Sequence, residues 1–565
     1  MSSGRLLPVL LAGALLLGAC TGEDGSEEPS RDDVPASPSA GEEAPAPSAS
    51  ERLGLATGWG PSRAQLDRAA RQARAMPLPD LAGQVVVARW TGGTLPPTRL
   101  VRDLHLGGLV VFDENVASAA GLRAAARGLE RAAGRPLLLA VDQEGGLVER
   151  IRGEVTSLPA LMAAGAAGEP ALTRAAHAAV GRELAWTGID VDLAPDTDVT
   201  AGPRDPVIGS RSAGSDPRTV ARQGVAAARG LRDAGVLPVV KHFPGHGSLS
   251  VDSHLALPVQ PRTVAQLQRT DLVPFRAAVE AGLPAVMIGH IAVRELDPDV
   301  PATVSRPVVT GLLREALGFD GLVVSDALEM AALRGVPRPA VGFLRAGGDV
   351  VLMPTDPAAT VRSIVGAVRA GRLPLRRLQQ AAARVLAVQA WQRPRPAAPG
   401  TAAGAVRRLA DAATTSVGGP CRGRLVRRAV PLGDAAVVAT FSAAARRAGL
   451  PLGQVRTVRP SRPEPTGDPR RDRARLQAWR TAEPRRVVDG TAVHLLGPGD
   501  PAPASGVVVA TDRPYVLGTT RARTRLATYG AGRTSMAALV AVLLGRQRAP
   551  GQLPVPVTGV PRQGC

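Results

Sequence analysis

Asp252-Ser253-His254 sets a carboxylate two residues before an imidazole. In an extended segment, residues two apart point to the same side, so Asp252 can bond one ring nitrogen of His254 and fix its tautomer. The carboxylate also raises the proton affinity of the ring, which makes His254 a candidate general acid and base near neutral pH. The preceding Pro244-Gly245-His246-Gly247-Ser248 is loop chemistry and predicts a flap that carries the pair. Lys241-His242 opens the same stretch. Lys241 is the only lysine among 68 Lys+Arg residues, in a chain that otherwise writes arginine. That exception predicts a place for a compact ammonium on a flexible stem, where a planar fork will not serve.

Three further stretches offer groups that could meet this imidazole. The run Gly321–Asp326 ends in Asp326, a carboxylate able to attack an electrophilic carbon and be released again. Its plainer alternative is an N-cap for a following helix. Asp142, in Val141-Asp142-Gln143-Glu144-Gly145-Gly146, can accept bonds from two hydroxyls, as carboxylates that hold vicinal diols of sugars do. Gly145-Gly146 would let the backbone approach a ligand closely. Arg150 and Arg211 supply forks of donors, with a solvated surface charge as the alternative for each. His242, His246 and His254 raise the question of a metal. Their spacing serves zinc only on a helix, and Pro244, Gly245 and Gly247 break any helix, so neither a metal site nor a cofactor is expected.

The elements that must position these residues alternate in a regular way. Short apolar runs at Gln84–Trp90, Gly107–Phe112, Leu137–Asp142, Asp190–Ala194, Val236–His242, Ala285–His290, Gly321–Asp326 and Asp349–Met353 predict eight strands. Between them Ala119–Ala133, Ala171–Trp186, Pro217–Asp233 and Val264–Ala281 have helical periodicity. Continuous apolar strands separated by helices predict a parallel sheet buried on both faces. An open doubly wound sheet is the alternative to a (β/α)8 barrel. Asp142, Lys241, His242, His290 and Asp326 all stand at or just past the carboxyl ends of their runs, and only a barrel converges them on one mouth. The expected fold is therefore an α/β (TIM-type) barrel followed by a smaller α/β domain. In the latter, Arg424–Gly433, Ala435–Phe441, Arg486–Leu496, Gly506–Ala510 and Leu517–Tyr529 read as strands or strand–loop pieces, and Ser535–Leu544 as a helix.

At 565 residues the chain is long enough for two domains with appendages. Apolar residues are 45% but aromatics only 2%, so the interior must be built from Ala, Val and Leu. Residues 1–20 read as a signal peptide, with an apolar run too short to span a membrane well. Leu17-Gly18-Ala19-Cys20 resembles a lipobox, with Cys20 as the lipidated residue. Residues 21–59 are expected to be an acidic Pro/Ser-rich tether, 60–395 the barrel and 396–565 the second domain. The chain is thus expected to be exported and anchored by lipid to the outer face of the bacterial cytoplasmic membrane. Cys421 and Cys565 could pair in that compartment. The net charge of +19 suits an anionic envelope surface. No nucleic-acid partner is expected, because zinc-finger spacing, an aromatic-lined basic groove and a long basic tail are all missing from the sequence.

KHFPGHG followed by DSH, with DQEGG upstream and SD-x-L-x-M downstream, resembles glycoside hydrolase family 3 over residues 60–395. More narrowly, it is similar to the β-N-acetylglucosaminidases of bacterial cell-wall turnover. The resemblance implies that Asp326 is the nucleophile and His254 the acid/base assisted by Asp252. It implies that Asp142, Arg150, Arg211, Lys241 and His242 hold the N-acetylglucosamine ring of a muropeptide-like saccharide. Two departures stand out: Leu147 where an Arg commonly follows DQEGG, and Ala327 where a second Asp is frequent. A family-3 β-glucosidase, a metal hydrolase and a non-catalytic wall-binding lipoprotein are the competing readings.

Overall fold

The computed structural model describes residues 46–565 except 393, 459–460, 483–484, 563 and 565. The expected signal segment, Cys20 and the tether up to residue 45 lie outside the described residues, as does Cys565. Each expected apolar run contains a strand: β1 (Val86–Arg89), β2 (Gly108–Val111), β3 (Leu138–Val141), β4 (Val191–Asp192), β5 (Leu237–Phe243), β6 (Ala285–Ile288), β7 (Leu322–Ser325) and β8 (Val351–Leu352). They lie side by side in chain order, all parallel, and β8 returns to pair with β1 through Val86–Val351 and Val87–Leu352. The last gap, between β7 and β8, is bridged at Val324–Val350, with Asp349 N–H donating to Val323 O at 2.8 Å. Val, Leu and Ala fill the interior, as the shortage of aromatics requires.

The sheath follows the expected pattern with one break. Helices cover Ala119–Ala133, Pro170–Thr187 and Pro217–Asp233. The stretch expected as a single helix, Val264–Ala281, is two, Val264–Arg269 and Leu272–Glu280. Thr270 leaves the helical region (φ −129°, ψ −89°), and the buried Asp271 carboxylate accepts from Thr270 Oγ1 at 2.6 Å and from Arg262 Nη1 at 2.5 Å. At the opposite end from the candidate residues, buried Asp349 accepts from Arg314 Nη2 at 2.6 Å, Arg377 Nη2 at 2.7 Å and Arg384 Nη1 at 3.3 Å. One carboxylate so fastens two flanking helical segments to the seam at which the barrel closes.

The packed body extends back beyond the expected boundary at residue 60. Ser48 and Glu51 form a capping box for helix Ala49–Leu53. Leu53, Leu55 and Trp59 are buried in the barrel's core, beside helix Arg63–Ala75, which packs on Leu375–Trp391. Apolar side chains spaced through an otherwise polar segment provide the area that holds it down.

In the second domain Thr415–Gly418 pairs antiparallel with Thr524–Ala527, and Val507–Ala510, Thr491–Leu496 and Ala429–Gly433 continue the sheet in parallel. Ala435–Phe441, expected as a strand, begins the helix Ala435–Ala448. Asp434 caps it by accepting from the Ala436 and Val437 N–H groups, and Phe441, Ala444 and Ala445 form its buried stripe. The paired valines suggested a strand, but the cap and the i, i+3, i+4 spacing prevail. Cys421 is disulfide-bonded, while its expected partner falls outside the described residues. Helix Leu161–Ala167, in the connection after β3, buries Met162, Ala163 and Ala166 against Leu517, Tyr529 and Val555 of the second domain.

Candidate active site

Parallel strands deliver their carboxyl ends to one rim, and every expected substrate-binding or catalytic residue except Asp252 lines a single cavity there, of about 320 Å³. Asp142 follows β3, Lys241 and His242 belong to β5, and Asp326 follows β7. A larger groove, of about 810 Å³, runs along the outside between helices Pro170–Thr187, Pro217–Asp233 and Leu272–Glu280. Its walls are mostly alanine and arginine stems without a convergent polar set, so the smaller cavity is the chemical one.

Lys241 lies at the bottom of this cavity with only 2% of its surface exposed. Its ammonium donates to Asp142 Oδ1 at 2.7 Å and stands 2.7 Å from Glu144 Oε1. Arg211 forks onto Glu144 with two bonds of 2.8 Å. Burial alone would push the Glu144 carboxyl up, but the two cations hold it far below its ordinary value. Burial likewise opposes the Lys241 charge, yet Asp142 and Glu144 keep the ammonium protonated above its ordinary range. The side chains form one chain of alternating charge: Asp142, Lys241, Glu144, Arg211. Sequence reasoning assigned no role to Glu144; the signal was its place in the Asp142-Gln143-Glu144 triplet, directed to the same side as Asp142.

A second chain of polar contacts descends from the flap. Asp198, fully buried, accepts from His242 Nδ1 at 2.7 Å and from the His246 N–H at 2.6 Å. That bond makes Nδ1 the protonated nitrogen of His242 and leaves Nε2 for a ligand. His246 Nε2 is 3.0 Å from Ser253 Oγ, so the centre of the flap is tied to the connection after β4. The Ala332 N–H donates to Ser253 O at 3.2 Å from the segment after β7. Asp196 and Asp198 come from Pro195-Asp196-Thr197-Asp198, which carried no recognised motif. Asp196, Asp198 and His242 place one ligand atom each within 4.8 Å of one another. Asp198 is already engaged by both histidines, and burial together with Asp198 pushes the Asp196 carboxyl well above its ordinary value.

Asp252 and His254 do meet, by a turn rather than an extended strand. Asp252 Oδ1 accepts from His254 N at 2.9 Å and from His254 Nδ1 at 2.8 Å. Burial raises the Asp252 carboxyl, but these two bonds bring it below its ordinary value, so it is ionised beside the ring. Nε2 of His254 remains to carry a proton, on a side chain 64% exposed.

Asp326 is not a helix N-cap: a short turn follows it, and its own Oδ1 accepts from the Ala327 N–H at 2.8 Å. Burial pushes its carboxyl up, while His290, His242, the Ala327 N–H and Lys241 together hold it below its ordinary value. The Asp326 carboxylate is thus anionic beside two imidazole rings, a backbone N–H and the Lys241 ammonium. His290 is itself fixed, with Nε2 donating to Ala327 O at 2.9 Å and Thr303 Oγ1 within 2.6 Å of Nδ1.

Two expectations need adjustment. Gly145 and Gly146 do not open the backbone to a ligand; a Cβ on them would meet Pro159 O at 2.6 Å and Ala160 Cβ at 2.7 Å, so they permit packing against the chain's own 158–160 segment. Lys241 touches carboxylates before any ligand, so its compactness serves a buried ion pair as well as the cavity. Arg150 lies 5.4 Å from the Phe112 ring centroid, and its buried Nε has no partner. Arg89 covers the same ring at 3.8 Å and pairs with Glu114 and Glu329. Apart from Arg150, this rim went unread in the sequence because its members stand at the ends of four separate strands, β1, β2, β3 and β7.

Comparison with known proteins agrees with this fold. Residues 96–388, just over half of the chain, match the Glycosyl hydrolase family 3 N terminal domain. Beta-hexosaminidase of Alkalilimnicola ehrlichii is 41% identical over 264 residues, covering 45% of this chain and 75% of that protein. Beta-hexosaminidase A of Pseudoalteromonas piscicida is 38% identical over 288 residues, 46% of this chain, but the match spans only about half of that protein, 48%. The structure of a family 3 β-N-acetylglucosaminidase from Paenibacillus sp. superposes with a TM-score of 0.72 at 29% identity, covering 86% of this chain and 99% of that one.

Proposed function

The chain belongs to glycoside hydrolase family 3, and from that premise we propose that it removes terminal non-reducing β-N-acetylglucosamine residues by retaining hydrolysis. The observation that carries this reading is Asp326 and His254 lining one cavity together with Asp142, Arg150, Arg211, Lys241 and His242. The Asp326 carboxylate attacks the anomeric carbon while His254 Nε2 gives its proton to the departing glycosidic oxygen. The carbon–oxygen bond breaks, the alcohol leaves, and a glycosyl ester on Asp326 remains. Water then attacks the same carbon, the neutral His254 takes its proton, and the Asp326 carboxylate is freed. Asp142, Lys241, Arg211, Arg150 and His242 hold the sugar hydroxyls and the N-acetyl group. The β-hexosaminidase names of the relatives support N-acetylglucosamine as the sugar.

The saccharide is a fragment of the cell wall, consistent with the lipobox-like Cys20 and a net charge of +19 on a chain destined for an anionic envelope. Cys20→Ala releases the protein from the membrane fraction of the host; retention would sink the anchor. No helix among the described residues is long and apolar enough to cross a membrane.

The deciding experiment is hydrolysis of an aryl β-N-acetylglucosaminide, compared with the matching β-glucoside, followed by trapping with a fluorinated sugar. Turnover of the N-acetyl substrate and a label on the peptide containing Asp326 are expected. A label elsewhere, or preference for the glucoside, overturns the assignment.

A further inference from the structure

Among its described residues the second domain holds no cluster of acid and base groups, yet its core and loops close on the part of the barrel that carries the sugar-binding residues. The connection after β3 bears Asp142, Glu144 and Arg150 before it reaches helix Leu161–Ala167, which is buried in the second domain. The connection after β4 bears Arg211 on the turn Gly209–Arg211. Inside that connection, Asp205 accepts from the Val207, Ile208 and Gly209 N–H groups at 3.0, 2.8 and 3.1 Å and from Thr200 Oγ1 at 2.7 Å. One residue of the turn is held from outside the barrel. Ser210 Oγ donates to Asp512 Oδ1, a residue just past the carboxyl end of Val507–Ala510 in the second sheet.

Both partners are buried, Ser210 at 3% and Asp512 at 6% exposed. The neighbouring Arg513 rests its stem against Gly209, where a Cβ would come within 2.9 Å of Arg513 Cδ. Next in the chain after Ser210 is Arg211, forked on Glu144, which in turn holds Lys241. We propose that Asp512 is a positioning residue: through Ser210 it sets the angle of the Gly209–Arg211 turn, and so aims the Arg211 fork and the Glu144–Lys241 pair at the sugar. The second domain therefore acts in substrate binding without touching substrate. This rests on the reading of Arg211 as a sugar-binding residue.

A double-mutant cycle tests it. Asp512→Ala, Ser210→Ala and the pair are assayed in the full chain on an aryl β-N-acetylglucosaminide. Each single change is expected to raise KM about tenfold with kcat within about threefold of wild type, and the double to match either single. Asp512→Asn, which keeps an acceptor oxygen for Ser210, restores KM. An unchanged KM in Asp512→Ala, a double whose effects multiply, or a loss confined to kcat overturns the proposal. If Asp512→Ala does not fold, Ser210→Ala and Asp512→Asn carry the same comparison. If the wild type does not turn over the substrate, the functional reading fails on its own account. Hydrogen exchange then decides the coupling: faster exchange in residues 205–214 of Asp512→Ala supports it, and unchanged exchange overturns it.

Discussion

At the scale of single residues, the site sorts its carboxylates by what surrounds them. Asp326 is ionised because the His290 and His242 rings, the Ala327 N–H and Lys241 together outweigh burial, so kcat/KM should hold as pH falls and drop only below the ordinary value of 3.8. An acid limb between about pH 5 and 6 that disappears in no variant but Asp326→Glu would contradict that assignment. His254→Ala should cost about 10²–10⁴-fold on alkyl glycosides or natural disaccharides and much less on activated aryl leaving groups. Equal losses on both would remove the acid role. Glu149 is the opposite case, pushed up to about 7 by burial beside Ser157 and Arg152. Its folded form keeps a proton that the unfolded chain releases near 4.5, so its contribution is complete below 4.5 and is lost as pH rises through about 7. Glu149→Gln should flatten the fall in Tm between pH 5 and 8, a difference on the order of 1–3 kcal/mol. An unchanged slope would show that Glu149 is ionised in the fold. Dialysis against a chelator should leave turnover intact, because Asp198 is occupied by His242 and His246; loss restored by a divalent metal would reopen the Asp196–Asp198–His242 cluster.

At the scale of elements, the barrel was legible because its strands are buried on both faces and so read as unbroken apolar runs. Motif residues at the run ends then reported the mouth. What stayed hidden were interactions between elements far apart in the chain. Glu144, Asp196 and Asp198 acquire meaning only when β3, β4 and β5 are neighbours. The split of Val264–Ala281 depends on a buried carboxylate, Asp271, whose burial no local pattern reveals. The helix at Ala435–Ala448 was misread because valine pairs imitate a strand, although Asp434 was a visible cap. Closure of the barrel has its own weak point. Asp349 is the shared acceptor for Arg314, Arg377 and Arg384, and Asp349→Ala leaves three partly buried guanidinium groups facing one another. The expected loss is about 3–5 kcal/mol of stability, read as a lower denaturant midpoint. A change below about 1 kcal/mol would mean that water, not Asp349, balances the arginines.

At the scale of the whole molecule, charge and connectivity set the behaviour. With a net +19, the Cys20→Ala protein should adsorb to vesicles rich in anionic lipid and leave them as salt rises from about 0.05 to 0.5 M. Salt-independent adsorption would point to an apolar contact instead. The two domains share more than a linker: Gln552 N–H donates to Ala166 O at 2.9 Å, and Ser215 N–H donates to Pro554 O at 3.2 Å. Those bonds join a segment far along the chain to the connections that frame the mouth. A chain growing from its amino end would thus have its barrel sequence complete while its front loops were still unanchored. Competence would arrive only when residues 552–554 had docked, a built-in delay between finishing the barrel and opening it to substrate.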